Sequence, residues 1–129
     1  MGIRFVLPFH PARLDARHPR LIEDLREMVE IGGPGALAMA IEMLRDLHRL
    51  GNRSRFARKL QGVPLWELKP LSRGGRKGGV RVYFTFIETP ASAMLFNAEV
   101  KSGDSPNAAK LREALEILTA FRQGAEVGL

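Results

Sequence analysis

Residues 80–101 read VRVYFTFIETPASAMLFNAEVK and contain two runs rich in aromatic and branched residues, 80–87 and 93–101. Such runs are typical of β-strands, and the turn sequence ETP between them indicates a hairpin. Residues 65–71, LWELKPL, form a third run of the same kind just upstream. We therefore expect a sheet over about 63–101, in which three consecutive strands pair as an antiparallel meander.

The chain has a helical period on both sides of this sheet. Over about 20–50, apolar residues recur at helical spacing and are interrupted by the glycine pair 32–33. This pattern predicts two helices that pack as an antiparallel hairpin. Over about 105–123, an apolar stripe follows the Ser-Pro pair 105–106, which is typical of a helix start. Residues 3–7, IRFVL, predict a short edge strand.

The order of these elements predicts an α+β fold in which the helix hairpin packs on an antiparallel sheet, followed by a C-terminal helix. A length of 129 residues suits one domain spanning 1–129. The chain has no cysteine, which excludes disulfides and a thiolate zinc site. Its first apolar run is too short for a signal peptide, and no stretch approaches about 20 apolar residues. We therefore expect a cytoplasmic protein with no membrane partner.

The net charge of +6 is concentrated in one part of the chain. Residues 51–81 carry nine basic side chains against a single acidic one, Glu67. Such a patch attracts polyanions, because phosphate contacts release counterions. A solvated basic surface without a partner is the alternative. The candidate nucleic-acid-binding residues form a flexible approach segment and a hairpin tip: Arg53, Arg55, Arg58 and Lys59, then Arg73, Arg76 and Lys77.

Side chains alternate across a strand, so the two faces of the sheet can be sorted from the sequence. One face is apolar and is expected to rest on the helix hairpin; Met94, Phe96, Ala98 and Val100 belong to it. The other face is polar, and we expect it to form one surface of the molecule. It collects Glu67, Lys69, Arg81, Tyr83, Asn97, Glu99 and Lys101. Arginine and tyrosine beside lysines suit phosphate, although a solvated face is the common alternative.

Other motifs point away from cofactor chemistry. The glycines at 74–79 lack the pattern of a nucleotide-binding loop, and no helix follows them. The three histidines have no partner at ligand spacing, so we expect neither a metal nor a cofactor. Glu99 and Lys101 do form an E-x-K pair on one strand, as in metal-dependent nucleases. A metal nuclease that uses this pair remains a less favoured alternative.

Three short segments of the sequence resemble the RelE/ParE superfamily of type II toxins, especially its HigB-like, phage-derived branch. They are GVPLWELK at 62–69, VRVYF at 80–84 and NAEVK at 97–101. Members of this superfamily show a similar tryptophan-containing strand, a central strand with arginine, and a strand that ends in lysine before a Ser/Thr-Pro helix. The resemblance covers about residues 50–120 and implies a RelE-like fold.

The resemblance also implies a function. Many members are ribosome-dependent mRNA endonucleases, and a cognate antitoxin neutralises them. The implied reaction is metal-independent attack of a ribose 2′-OH on the adjacent phosphate, which needs a base, an acid and cations. Other members inhibit DNA gyrase, so a non-catalytic protein of the same fold that binds nucleic acid or a partner is the alternative.

Four residues are candidate catalytic groups by this resemblance. Arg81 occupies the position of the central-strand arginine and would clamp the phosphorane. Lys69 stands where the family often has arginine and would bind phosphate or act as a base. Lys101 would be an acid or a phosphate ligand, and Tyr83 would stack on a base or donate a proton. The chain departs from the family in the lysine at 69 and in lacking tyrosine or histidine after Tyr83.

Overall fold

The structure of the chain is a computed structural model that describes residues 2–13, 15–70, 79–87, 89–101 and 107–126. The predicted α+β fold is confirmed. The elements in chain order are β1 (Arg4–Val6), α1 (Arg20–Leu50), a short 3-10 helix (Gly51–Arg53), β2 (Ala57–Lys59), β3 (Trp66–Leu68), β4 (Gly79–Ile87), β5 (Thr89–Lys101) and α2 (Ala108–Glu126).

The five strands form one sheet in the order β1-β5-β4-β3-β2. The predicted meander is confirmed, because β3, β4 and β5 pair as antiparallel neighbours. The expectation of a purely antiparallel sheet is wrong, since the N-terminal edge strand β1 runs parallel to β5. Parallel pairing needs a long connection between the two strands, and the chain from α1 to β4 provides it.

Strand β2 was not expected from the sequence, which suggested a flexible approach segment there. Its three residues pair antiparallel with β3, with Ala57 opposite Leu68 and Lys59 opposite Trp66. A run of three residues with two cations carries no strand signature of its own. Pairing with β3 and packing of Ala57 against the core decide the conformation here.

Helix α1 is interrupted at the glycine pair, as its pattern predicted. Gly33 has φ 76° and ψ 178°, a conformation that essentially only glycine adopts. Pro34 follows it and excludes helical geometry from the residue before it. A single non-helical residue therefore stands between the two helical segments in place of a connecting loop. Both segments bury side chains in the same core, Met28 from the first and Met43 from the second.

Helix α2 begins later than the sequence suggested. Ser105 and Pro106 lie outside the described residues, and the helix starts at Ala108. Asn107 caps it, because its side-chain oxygen accepts hydrogen bonds from the backbone N–H groups of Ala109 and Lys110 at 2.8 and 3.4 Å. Asparagine is among the preferred residues at this position.

The sheet lies between α1 and α2, with a separate apolar core on each face. On the α1 side, Leu21 and Leu47 pack against β4 residues such as Val82 and Phe84. On the α2 side, Ile117 and Leu118 pack against Met94 and Phe96. The predicted polar face of the sheet is therefore partly covered by α2.

A β-bulge in β5 explains an error in the predicted faces. Tyr83 pairs with Asn97, but the next residue of β4, Phe84, pairs with Leu95, so Phe96 is an extra residue. The inserted residue reverses the alternation of side chains on its N-terminal side. Met94 and Phe96 consequently face α2 rather than α1, contrary to the expectation from strict alternation.

Within the described ranges, no helix has the length and apolar character needed to cross a membrane.

Candidate nucleic-acid interface

Four exposed cations lie at one edge of the sheet. We call this surface the β2 edge; it consists of Arg53, Arg55, Arg58 and Lys59. Strand β2 is the last strand in the sheet order. Among the described strands it pairs with β3 alone. An edge strand presents backbone donors as well as side chains to a partner. All four residues of the predicted approach segment are thus exposed on the edge strand or on the residues that lead into it.

The contacts of these cations are weak or local. Arg58 Nε lies 3.6 Å from Glu67 Oε1, with the arginine side chain 59% exposed. Lys59 Nζ donates to the carbonyl oxygens of Leu60 and Val63 in the following turn. The Arg55 guanidinium lies 4.8 Å from the centre of the Phe56 ring. Arg55 and Arg58 keep most of their side chains in solvent, so both guanidinium groups remain accessible to a phosphate.

The polar face of the sheet is buried and is not the open surface expected from the sequence. Arg81 is 1% exposed, Tyr83 and Asn97 are 0% exposed, and Glu67 is 2% exposed. Pairing aligns these side chains, because Glu67 lies opposite Tyr83 and Tyr83 lies opposite Asn97. The structure therefore assembles the predicted residues but places the arginine and tyrosine in the interior.

A carboxylate lies beside Arg81. Glu67 Oε2 is 3.9 Å from Arg81 Nε, and both side chains are almost fully buried. Burial raises the pKa of Glu67, although the positive charges of Arg81, Arg58 and Lys69 oppose that shift. Arg81 therefore has an internal counter-charge, which a phosphate would have to displace in order to be clamped by this guanidinium.

Tyr83 is held as a hydrogen-bond donor. Its hydroxyl donates to Glu99 Oε2 at 2.6 Å. Burial raises the pKa of Tyr83 well above its usual value, and the hydrogen bond to Glu99 adds to this effect. The phenol is consequently protonated at neutral pH. In this arrangement it is a donor and not a base.

The remaining predicted residues are only partly described. Lys69 is half-buried just after β3, and its backbone N–H donates to the carbonyl oxygen of Phe56. Lys101 ends β5, with its backbone opposite Gly79, but its side chain lies outside what the structure describes. Arg73, Arg76 and Lys77 lie outside the described residues altogether.

A charged network that the sequence did not reveal joins α2 to the sheet and to α1. Asp24 Oδ2 accepts hydrogen bonds from Lys110 Nζ and from the backbone N–H of Ala98, both at 2.9 Å. Glu113 Oε1 accepts from Asn97 Nδ2 at 2.8 Å and from Arg20 Nε at 3.2 Å. The members are far apart in the chain, so no local pattern in the sequence predicts this network.

Two shifts in pKa belong to this network. Burial raises the pKa of Asp24, and the hydrogen bonds from Ala98 and Lys110 only partly offset it. Burial acts in the same direction on Glu113, but there the hydrogen bond from Asn97 and the charges of Lys110 and Arg20 prevail, so its pKa is lowered. Together these contacts hold α2 over the polar face of the sheet.

The alternative metal site has few free ligands. Glu99 Oε2 accepts hydrogen bonds from the Tyr83 hydroxyl and from the backbone N–H of Asn107. Across the part of the chain that the structure describes, no three His, Cys, Asp or Glu side chains are grouped so as to hold a metal ion.

Comparison with known proteins does not assign a family. No protein-family model and no curated protein matches this chain. The functional argument therefore rests on the residues themselves. They provide an exposed basic edge, a buried cluster of Glu67, Arg81 and Tyr83 with the half-buried Glu99 beside it, and the half-buried Lys69.

Proposed function

We propose that this protein is the toxin of a type II toxin–antitoxin system and that it acts on mRNA. The observation that carries the proposal is the β2 edge, where four exposed cations lie on one strand and its approach. The activity that we propose is ribosome-dependent mRNA cleavage without a metal, and it follows from the resemblance of three sequence segments to RelE-like toxins. A cognate antitoxin is the expected protein partner.

The β2 edge suits the RNA backbone rather than a particular base sequence. Arg53, Arg55 and Arg58 carry planar guanidinium groups that match phosphate oxygens in pairs. Binding through such contacts is strong at low salt and weakens steeply as salt rises. The edge thus supplies positioning, and the chemistry has to come from groups beside it.

Lys69 is the group best placed for that chemistry. It follows β3, the strand paired with β2, and it is more accessible than Arg81 or Tyr83. Its ammonium group would steady the negative charge that develops on the phosphorane. Arg81 would contribute a positive charge from the interior of the sheet without touching the phosphate, because it is buried beside Glu67.

Burial of Arg81 and Tyr83 favours a second candidate of the same fold. A toxin that only binds nucleic acid or a protein target, such as a gyrase inhibitor, does not need these side chains at its surface. In that case the buried cluster is a structural element of the sheet, and the β2 edge alone contacts the target.

Induced expression tests the proposal, with growth and new mRNA 5′ ends as the two measurements. We expect growth arrest with new ends, and we expect the double variant Arg58→Ala, Lys59→Ala to relieve both. The matched control is Arg112→Ala, Arg122→Ala, which removes two exposed cations from α2 and should leave both unchanged.

Lys69→Ala separates the two candidates. If the protein cleaves mRNA, this variant should keep its RNA affinity within a few-fold and lose the new ends. Arrest with intact mRNA in the unmodified protein would favour the binding-only candidate, and DNA damage would then indicate gyrase. Absence of arrest would contradict the toxin assignment.

A further inference from the structure

A depression lies beside the β2 edge, between the second segment of α1 and the residues that lead into β2. Its volume is about 550 Å³, within the range of about 300–1,000 Å³ that is usual for small-molecule sites. Its apolar surface includes Ala38, Ile41 and Phe56. Two carboxylates and three guanidinium groups also line it: Glu42, Asp46, Arg45, Arg49 and Arg55.

The helical period explains why this surface faces outward. Ala38, Ile41, Arg45 and Arg49 follow one another at intervals of three or four residues and so share one face of α1. Ile41 is 38% exposed, whereas Met43 on the same helical segment is fully buried. The core therefore uses the opposite face of this segment and leaves Ile41 in the depression.

Two of the charged groups are free to change partners. Arg55 and Glu42 form an exposed pair, with 4.0 Å between a guanidinium nitrogen and Oε1, and both side chains are more than half exposed. Asp46, in the same depression, already has hydrogen-bond partners within the protein. It is buried, and it accepts hydrogen bonds from Ser54 Oγ at 2.6 Å and from Arg49 at 3.3 Å.

We propose that this depression binds an unpaired guanine base of single-stranded RNA. Guanine offers the acceptors O6 and N7 to a guanidinium group, and its N2 amino group donates to a carboxylate. Arg55 and Glu42 provide this donor and this acceptor side by side. The face of the base would lie on Ile41 and on an arginine plane, as unpaired bases commonly do in RNA complexes.

Adenine and uracil fit this arrangement less well. Adenine has an amino group where guanine has O6, so it would point a donor at the arginine. Uracil has no exocyclic amino group for Glu42.

This inference rests on the proposed binding of RNA, because Arg55 belongs both to the depression and to the β2 edge. The backbone held at Arg58 and Lys59 would turn one base towards α1. The β2 edge would then set affinity, and the depression would set base preference.

Fluorescence anisotropy with two labelled oligonucleotides tests the inference on the full chain. One is oligouridine of about 12 nucleotides, within the usual footprint of single-strand binders, and the other carries one central guanine. We expect the guanine to strengthen binding about five-fold or more. Glu42→Ala should abolish that gain and leave the affinity for oligouridine unchanged or slightly higher. Glu30→Ala, which removes an exposed carboxylate elsewhere on α1, should preserve the gain.

The outcomes distinguish this inference from the proposed function. If oligouridine binds and Arg58→Ala, Lys59→Ala weakens it, but guanine adds nothing, the base pocket is refuted while RNA binding stands. A guanine preference that persists in Glu42→Ala also refutes the pocket. If neither oligonucleotide binds, this inference is overturned, whereas growth arrest and new mRNA ends test the proposed function separately.

Discussion

The hydroxyl of Tyr83 on β4 donates a hydrogen bond of 2.6 Å to Glu99 on β5, although the two residues are not directly paired in the sheet. Tyr83 lies opposite Asn97, and Glu99 lies opposite Arg81, so the bond runs diagonally across the two strands. The same carboxylate oxygen accepts from the backbone N–H of Asn107, next to the start of α2. This contact therefore joins the centre of the sheet to the N-terminal end of α2.

Tyr83→Phe should lower the free energy of unfolding by about 1.5–3 kcal/mol, the usual contribution of a hydrogen bond to a charged group. The folded protein raises the pKa of this phenol above 10.0, so its stabilising contribution is present below pH 10 and is lost as the pH rises further. Urea unfolding should show a constant deficit in the variant up to about pH 10 and a smaller one above it. A deficit that disappears at neutral pH would argue against this bond, and a double-mutant cycle with Glu99→Ala measures the coupling between the two residues.

Gly33→Ala and Gly35→Ala should have opposite effects on stability. Gly33 has φ 76° in the break of α1, and a Cβ there meets no atom within 4 Å, so the cost is backbone strain of about 1–3 kcal/mol. Gly35 lies in the helix without a positive φ and also with open space, so alanine there should stabilise by about 0.5–1 kcal/mol. Thermal unfolding of the two variants provides the comparison. Equal effects would show that the break at Gly33 is absent in solution.

Asp46→Asn should destabilise the protein at neutral pH and much less in acid. Burial alone would raise the pKa of Asp46, but the hydrogen bonds from Ser54 and Arg49 outweigh it, so the pKa is lowered from 3.8. A lowered pKa means that the stabilising contribution is present above pH 4 and is lost as the pH falls through the folded value. Urea unfolding at pH 7 should show a loss of about 1–3 kcal/mol, typical of hydrogen bonds to a charged group. An equal loss at pH 3 would contradict this assignment.

Arg58→Ala combined with Lys59→Ala should change the salt dependence of RNA binding. Each phosphate contact to a single strand contributes about 0.7 to the slope of log affinity against log salt concentration, so two lost contacts should reduce it by about 1.4. Affinity measured for oligouridine over a salt series gives this slope. The control Arg112→Ala, Arg122→Ala should leave the slope as it is. A reduced affinity with an unchanged slope would show that the two residues do not contact phosphates.

Much of the fold could be predicted from the sequence, because the relevant signals are local. The long runs that became β4 and β5 and the helical stripes of α1 and α2 have a period that can be counted along the chain. Gly33 was predictable as a break, since a glycine before proline favours a non-helical residue. Strand β2 was not predictable, because a run of three residues that includes two cations is too short to show the alternation of apolar and polar residues that marks a strand.

The polar face of the sheet could be predicted in part of its membership but not in its exposure. Alternation along the strands correctly grouped Glu67, Arg81, Tyr83 and Glu99 on one face. It could not foresee that α2 would pack over part of that face, because this depends on Asp24 and Glu113, which lie far away in the sequence. Nor could it foresee the bulge at Phe96, which moves two apolar side chains to the α2 side.

The sequence by itself determined the element types, the location of the positive charge and the set of polar residues on the sheet. Each of these depends on residue type and on spacing within a few positions. Only the tertiary structure decided which cations remain exposed at the β2 edge and which residue becomes buried beside Glu67. That division depends on long-range packing, because burial is a property of what covers a side chain and not of the side chain itself.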